Sequence, residues 1–137
     1  MLRDLIRTIS ARLTVGLVDE RGEIAAIHKG IPGNDVGINT DVLDNVPKYI
    51  GMKMLIRSMN PNVIAADEIG SIDDVRAINY AACSGVKGIF TAHGKTFEDI
   101  KLNEALKMLI ENNTFERIIF LNNREIKEVY GSKIDLR

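Results

Sequence analysis

The sequence predicts an α/β fold built on a parallel sheet, and three features point to it. Short apolar runs recur along the chain at 13–18 ("LTVGLV"), 62–66 ("NVIAA") and 86–92 ("VKGIFTA"). Between them lie stretches with apolar residues at helical spacing, and strands that alternate with helices favour parallel pairing. Each apolar run also ends in polar residues: Asp19-Glu20, Asp67-Glu68 and His93-Gly94. In open α/β sheets, ligands bind beyond the carboxyl ends of the strands.

The elements follow in order. Leu2, Leu5, Ile6 and Ile9 have helical spacing, so the chain opens inside a helix with no capping residue before it. The strand at 13–18 runs into "DERGE". Residues 28–47, rich in Gly, Pro, Asn and Asp, read as one long irregular loop, and long loops in compact domains tend to be functional. A helix at 48–59 gathers Tyr49, Met52, Leu55, Ile56 and Met59 on one face. After the strand at 62–67, Ser71 and Asp74 form a capping box for a helix at 72–84. Val75, Ile78 and Ala82 are expected to face the sheet, Cys83 to pack, and Gly85 to stop the helix. A strand at 86–91 leads to a helical region at 96–111, with Leu102, Ala105, Leu106 and Leu109 turned inward. "RIIFL" (117–121) and "EIKEVY" (125–130) read as a hairpin or two short strands, and 117–121 is expected to join the parallel core.

Composition narrows the function. The 137 residues are 45% hydrophobic and 27% charged, which suits one globular domain. A net charge of −1 offers no broad basic field, so no nucleic-acid partner is expected. A single cysteine excludes an internal disulfide framework and a multi-cysteine zinc site. No apolar run approaches the length of a membrane span, and "MLRDLIRTIS" carries charges throughout, so it is not expected to act as a signal peptide.

The chemistry centres on "PNVIAADEIGSIDD" (61–74). Of two adjacent carboxylates at a strand end, one can hold a hydrated magnesium ion while the other orients or deprotonates a water for attack on a phosphoryl group. The competing reading is a strand followed by an acidic turn that caps the next helix. His93 can donate to a terminal phosphate, or can simply be a histidine satisfied at a strand end. Asp19, Glu20 and Glu23 are placed to bind a metal-bound water or an arginine, and equally to form a solvated acidic turn. The glycine-rich phosphate loop, G-x-x-x-x-G-K-[ST], does not occur in these residues.

The order of acidic cluster, Asp-Glu and His, each after a strand, matches one group of ring-forming ATPases. The segments "VGLVDERGEIAA", "KGIPGNDVGINTDVLD", "GMKMLIRSMNPNVIAADEIG" and "TAHG" resemble the stage III sporulation protein AA family. That family is similar to the ATPases of type II and type IV secretion and pilus assembly. The resemblance covers residues 1 to about 100. It implies a RecA-like P-loop NTPase core in which Asp67 and Glu68 are the Walker B pair, Asp19, Glu20 and Glu23 the Asp box, and His93 the His box. On that basis Glu68, Glu20 and His93 take catalytic roles. Asp67, Asp19 and Glu23 bind the nucleotide and its ion, with Asp67 reaching magnesium through water. The basic residue usual soon after the Walker B acids is missing, because Ser71 and Ile72 stand there; Arg21, Arg57 and Arg76 are the candidate arginines for a neighbouring subunit's phosphate.

In the resembling family the residues just before "LRDL" close the phosphate loop. Residues 1–137 are therefore expected to be the carboxyl-terminal part of an ATPase domain, one domain incomplete at its amino end and lacking the P-loop strand. The resemblance further implies ATP and magnesium as ligands of the full-length protein, self-association into a ring and membrane partners in a sporulation channel. It also implies a cytoplasmic, membrane-peripheral location in the mother cell. The P-loop strand is expected between those at 86–91 and 117–121, leaving that slot empty, closed up or filled by another chain. Two other readings remain: an α/β interaction module without catalysis, and a phosphohydrolase that uses its acids without a phosphate loop. The latter needs a further cluster of metal ligands, which the sequence does not offer.

Overall fold

The computed structural model describes residues 1–131. A helix α1 (Leu2–Ser10) leads into the strand β1 (Val15–Asp19). The long segment that follows holds two two-residue strands, β2 (Ile27–His28) and β3 (Ile31–Pro32), and a five-residue strand β4 (Thr40–Asp44). Helix α2 (Lys48–Met59), strand β5 (Val63–Ala66), helix α3 (Ile72–Cys83) and strand β6 (Lys87–Phe90) complete the alternating part. Two short helices, α4 (Phe97–Lys101) and α5 (Glu104–Glu111), precede an antiparallel hairpin, β7 (Arg117–Asn122) and β8 (Glu125–Gly131).

The central sheet has four parallel strands in the order β4-β1-β5-β6. Val15 pairs with Val63, and Val63 in turn with Lys87, so the carboxyl ends of β1, β5 and β6 share one edge. The two sides of the sheet follow the strand period of two. Val15, Leu17, Val63 and Ala65 cluster with Leu2 and Ile6 of α1 and with Val36. Val18, Ile64 and Ala66 cluster with Met52, Leu55 and Ile56 of α2, Val75 and Ile78 of α3, and Leu106 and Leu109 of α5. Because both faces are covered, β1 and β5 are buried along their full lengths and read as continuous apolar runs.

Two glycines set close approaches. Gly51 brings α2 against β1; an added Cβ would lie 2.6 Å from Cγ1 of Val18. Gly37 has φ +100°, and a Cβ there would fall 1.7 Å from the Ser10 hydroxyl oxygen, so this turn packs directly on the end of α1. Asn39 holds the same junction by donating to the Ser10 carbonyl at 2.8 Å.

Several expectations are corrected. The loop at 28–47 contains an edge strand of the main sheet: β4 pairs with β1 from Val15↔Thr40 to Asp19↔Asp44. Its residues are only partly covered, because an edge strand facing solvent has no need of a solid apolar run. The strand at 117–122 does not join the parallel core. It pairs with β8 and packs through Phe120 on Phe97 and Tyr130, with ring centroids 5.2 and 5.8 Å away. The expected slot between 86–91 and 117–121 therefore has no strand on its far side, and β6 is an edge of the sheet among the described strands. The region 96–111 is two helices, because the Asn103 side chain caps a new one by accepting from the Leu106 amide, and Leu102 at the break is 85% exposed. In α3 it is Ala81 rather than Ala82 that is buried, and Cys83 is exposed.

Candidate functional site

The site lies along the carboxyl edge of β1 and β5 and is built by turns that the strands feed. Asp19 ends β1 fully buried. Its Oδ2 accepts from the Ala25 amide at 2.8 Å and the Ile24 amide at 3.1 Å, so the carboxylate folds residues 20–25 back over itself. That turn puts Glu20 and Arg21 in front of the sheet. Glu20 accepts a 2.5 Å hydrogen bond from Nζ of Lys48, the first residue of α2, whose side chain is only 14% exposed. Glu23 is exposed, and its side chain has no hydrogen bond or ion pair among the described residues.

At the end of β5, Asp67 is buried and Glu68 takes the left-handed conformation at φ +49°. A non-glycine residue there is strained, and such strain concentrates at functional positions. The neighbouring strand braces the turn. The Glu68 amide donates to Oγ1 of Thr91 at 2.9 Å, and the Ile69 amide to the Thr91 carbonyl at 2.9 Å. Both oxygens of the Glu68 carboxylate are engaged: Oε2 by Arg21 at 2.9 Å and Oε1 by Nε2 of His93 at 3.3 Å. Glu68 is 31% exposed, Arg21 60% and His93 86%, so these are surface-side pairs of modest strength.

Asp67 carries an electrostatic imprint of the site. Burial raises its pKa above the ordinary 3.8, its own backbone lowers it, the Asp19 and Glu68 charges raise it further, and Lys48 lowers it. Beside it a cleft of roughly 250 Å³ is lined by Glu20, Lys48, Tyr49, Glu68 and the start of α3. The α3 amino end is closed by its capping box: Ser71 accepts from the Asp74 amide, and Asp74 accepts from the Gly70 and Ser71 amides.

The structure thus brings Asp19, Glu20, Asp67, Glu68 and His93 to one edge and leaves the Glu23 side chain outside the network. Of the candidate arginines, Arg21 reaches the site, whereas Arg57 lies against Tyr80 and Arg76 pairs with Asp73. Lys48 and Thr91 were not foreseen. Thr91 stands two residues before His93, and its hydroxyl was the only signal; nothing in the sequence marked Lys48. The donor set suits magnesium, because Asp67 and Glu20 present hard carboxylate oxygens and the excess of negative charge around Asp67 favours a cation. No group of three or more His, Cys, Asp or Glu among the described residues is arranged to hold a metal by itself.

Comparison with known proteins fits this layout. A family model described as sporulation stage III, protein AA, matches residues 1–134. The chain belongs to the stage III sporulation protein AA family. It is 41% identical over 128 residues to stage III sporulation protein AA of Bacillus subtilis (strain 168), a match covering 89% of this chain and 42% of the relative. Its fold is similar to the X-ray structure of the Legionella pneumophila ATPase DotB, with a TM-score of 0.58 and 18% identity over 87% of this chain and 35% of that one. The chain therefore spans less than half the length of each of these proteins. The RecA-like character expected for the sheet is supported by this likeness, and the membership places the chain among sporulation proteins. Among the described residues no helix is long and apolar enough to cross a membrane.

Proposed function

We propose that these residues form the acidic side of an ATP-hydrolysing site in a sporulation motor of the secretion-ATPase type. The observation that carries this reading is the convergence of Glu68 and His93, from the ends of neighbouring strands, beside the buried Asp67. In the full-length protein a phosphate loop outside these residues holds the triphosphate. Glu68 accepts the proton of the attacking water, His93 donates to the terminal phosphate, and Asp67 is the Walker B anchor of magnesium through water. Bound there, magnesium would offset the phosphate charge. Lys48 keeps Glu20 in place beneath them, and the backbone cage around Asp19 fixes the turn that carries Glu20 and Arg21. Self-association into a ring, membrane partners in a sporulation channel and a cytoplasmic position at the mother-cell membrane complete the proposal.

A second reading, an α/β interaction module without catalysis, draws on one observation: Glu20 and Glu68 are already paired with bases of the same chain. Glu68→Gln in the full-length protein separates the two. An amide cannot take the water's proton, so nucleotide binding should persist while most hydrolysis is lost. Hydrolysis equal to the parent's would remove Glu68 from the mechanism. A parent protein that binds no nucleotide would favour the module.

A further inference from the structure

In the arrangement seen, the Glu68 carboxylate is engaged on both of its oxygens. One oxygen accepts from the Arg21 guanidinium at 2.9 Å and the other faces Nε2 of His93 at 3.3 Å, so a water must share the carboxylate with two basic side chains. Release of one partner opens the carboxylate further to an attacking water.

Arg21 is a partner that can leave. It sits in the turn after β1, its side chain is 60% exposed, and Gly22 beside it lies in open space with φ +70°. The Glu68 backbone, in contrast, is fixed by the hydrogen bond its amide donates to Oγ1 of Thr91 at 2.9 Å. The Arg21 guanidinium is also chemically suited to what would replace its partner, since its planar fork binds phosphate oxygens as well as carboxylates. The remaining basic group deep in the cleft, Lys48, is held by Glu20 at 2.5 Å.

We propose that Arg21 is a two-position residue, closed on Glu68 when no nucleotide is present and turned onto the terminal phosphate of a bound triphosphate. Nucleotide arrival then unmasks Glu68, and an empty site keeps it covered. This rests on the reading of Glu68 as the base, and it makes Arg21 a contact within its own subunit rather than one delivered to a neighbour.

The test is a double-mutant cycle in the full-length protein. Titration calorimetry measures binding of a magnesium complex of a non-hydrolysable ATP analogue to the parent, Glu68→Gln, Arg21→Ala and the double variant. If Arg21 must leave Glu68 to reach phosphate, Glu68→Gln releases it in advance. The affinity gained from Glu68→Gln should then be larger with Arg21 present than in the Arg21→Ala background, by about two- to five-fold, the range set by one exposed ion pair. Arg21→Lys, which keeps the charge, should recover part of that difference. A gain that is equal or larger in the Arg21→Ala background would overturn the proposal. That outcome means the pair stays closed when nucleotide binds, since an unscreened Glu68 would then repel the phosphate. Melting temperatures of the variants check that the fold is intact. An inactive Glu68→Gln enzyme with that inverted cycle refutes only the role of Arg21. A parent that fails to bind the analogue, or a Glu68→Gln variant that hydrolyses ATP normally, refutes the reading of the site itself.

Discussion

Replacing Asp19 with alanine separates a structural role from a ligand-binding one. The sequence placed Asp19 among residues that touch nucleotide or metal. In the fold its carboxylate is fully buried and accepts from two backbone amides, Ala25 at 2.8 Å and Ile24 at 3.1 Å. Alanine leaves both donors without that acceptor at a site with little room for water. Hydrogen bonds to a charged group contribute roughly 1.5–3 kcal/mol each, so the gross loss is about 3–6 kcal/mol. Removing a buried charge returns part of this, leaving a net destabilisation of about 2–4 kcal/mol. For a domain of this size each kcal/mol shifts the melting temperature by about 4 °C, which predicts a fall of about 8–16 °C. Asp19→Asn keeps the shape and one acceptor oxygen and should lose about half as much. Thermal unfolding of the chain without any nucleotide, followed by circular dichroism, is the assay. An alanine variant that melts within about 2 °C of the parent would refute the reasoning and return Asp19 to the ligand-binding candidates.

Asp67→Asn should act in the opposite direction. Burial raises the Asp67 pKa, so the folded chain binds this proton more tightly than the unfolded chain, and stability falls as pH rises from 3.8 through the higher folded-state value. The asparagine variant should therefore melt above the parent at neutral pH and lose that advantage on acidification toward pH 3.8; a constant difference across the range would count against it. Gly51→Ala puts a methyl 2.6 Å from Cγ1 of Val18 and 3.1 Å from Cγ1 of Val46. Overpacking of about 1–3 kcal/mol should outweigh a helix-propensity gain of about 1 kcal/mol, and denaturant unfolding reads the sign. Magnesium-ATP should bind the 137-residue chain no more tightly than about millimolar, because without loop amides and a lysine the phosphates face Glu20, Asp67 and Glu68. Micromolar affinity by calorimetry would reveal a phosphate site among these residues.

The sequence by itself determined the alternating core. β1, β5 and β6, the amphipathic helix α2 and the capping box of α3 were all legible, because burial on two faces imposes continuous apolar runs and a helix start imposes its own side chains. It also placed the acids and His93 at strand ends, and parallel pairing is what makes those ends coincide. Four segments together resembled a family, and that carried the ATPase reading further than any single motif.

The rest was decided in three dimensions. β4 was hidden in a loop-like composition because an edge strand needs backbone pairing more than apolar side chains, and β1 supplied that pairing. β7 looks like a core strand from its sequence, yet Phe120 is held by Phe97 and Tyr130 outside the sheet. The split between α4 and α5 turned on one side chain, Asn103, which caps α5 and also donates to the Gly70 carbonyl across the fold at 3.0 Å. The site shows the same division. Which residues are acidic is written in the chain, but which of them are already satisfied is not. Asp19 meets the amides of its own turn, Glu20 meets Lys48 from 28 residues away, and Glu68 meets Arg21 and His93. Partner choice of that kind depends on distances set when strands and helices pack, and no local pattern encodes those distances.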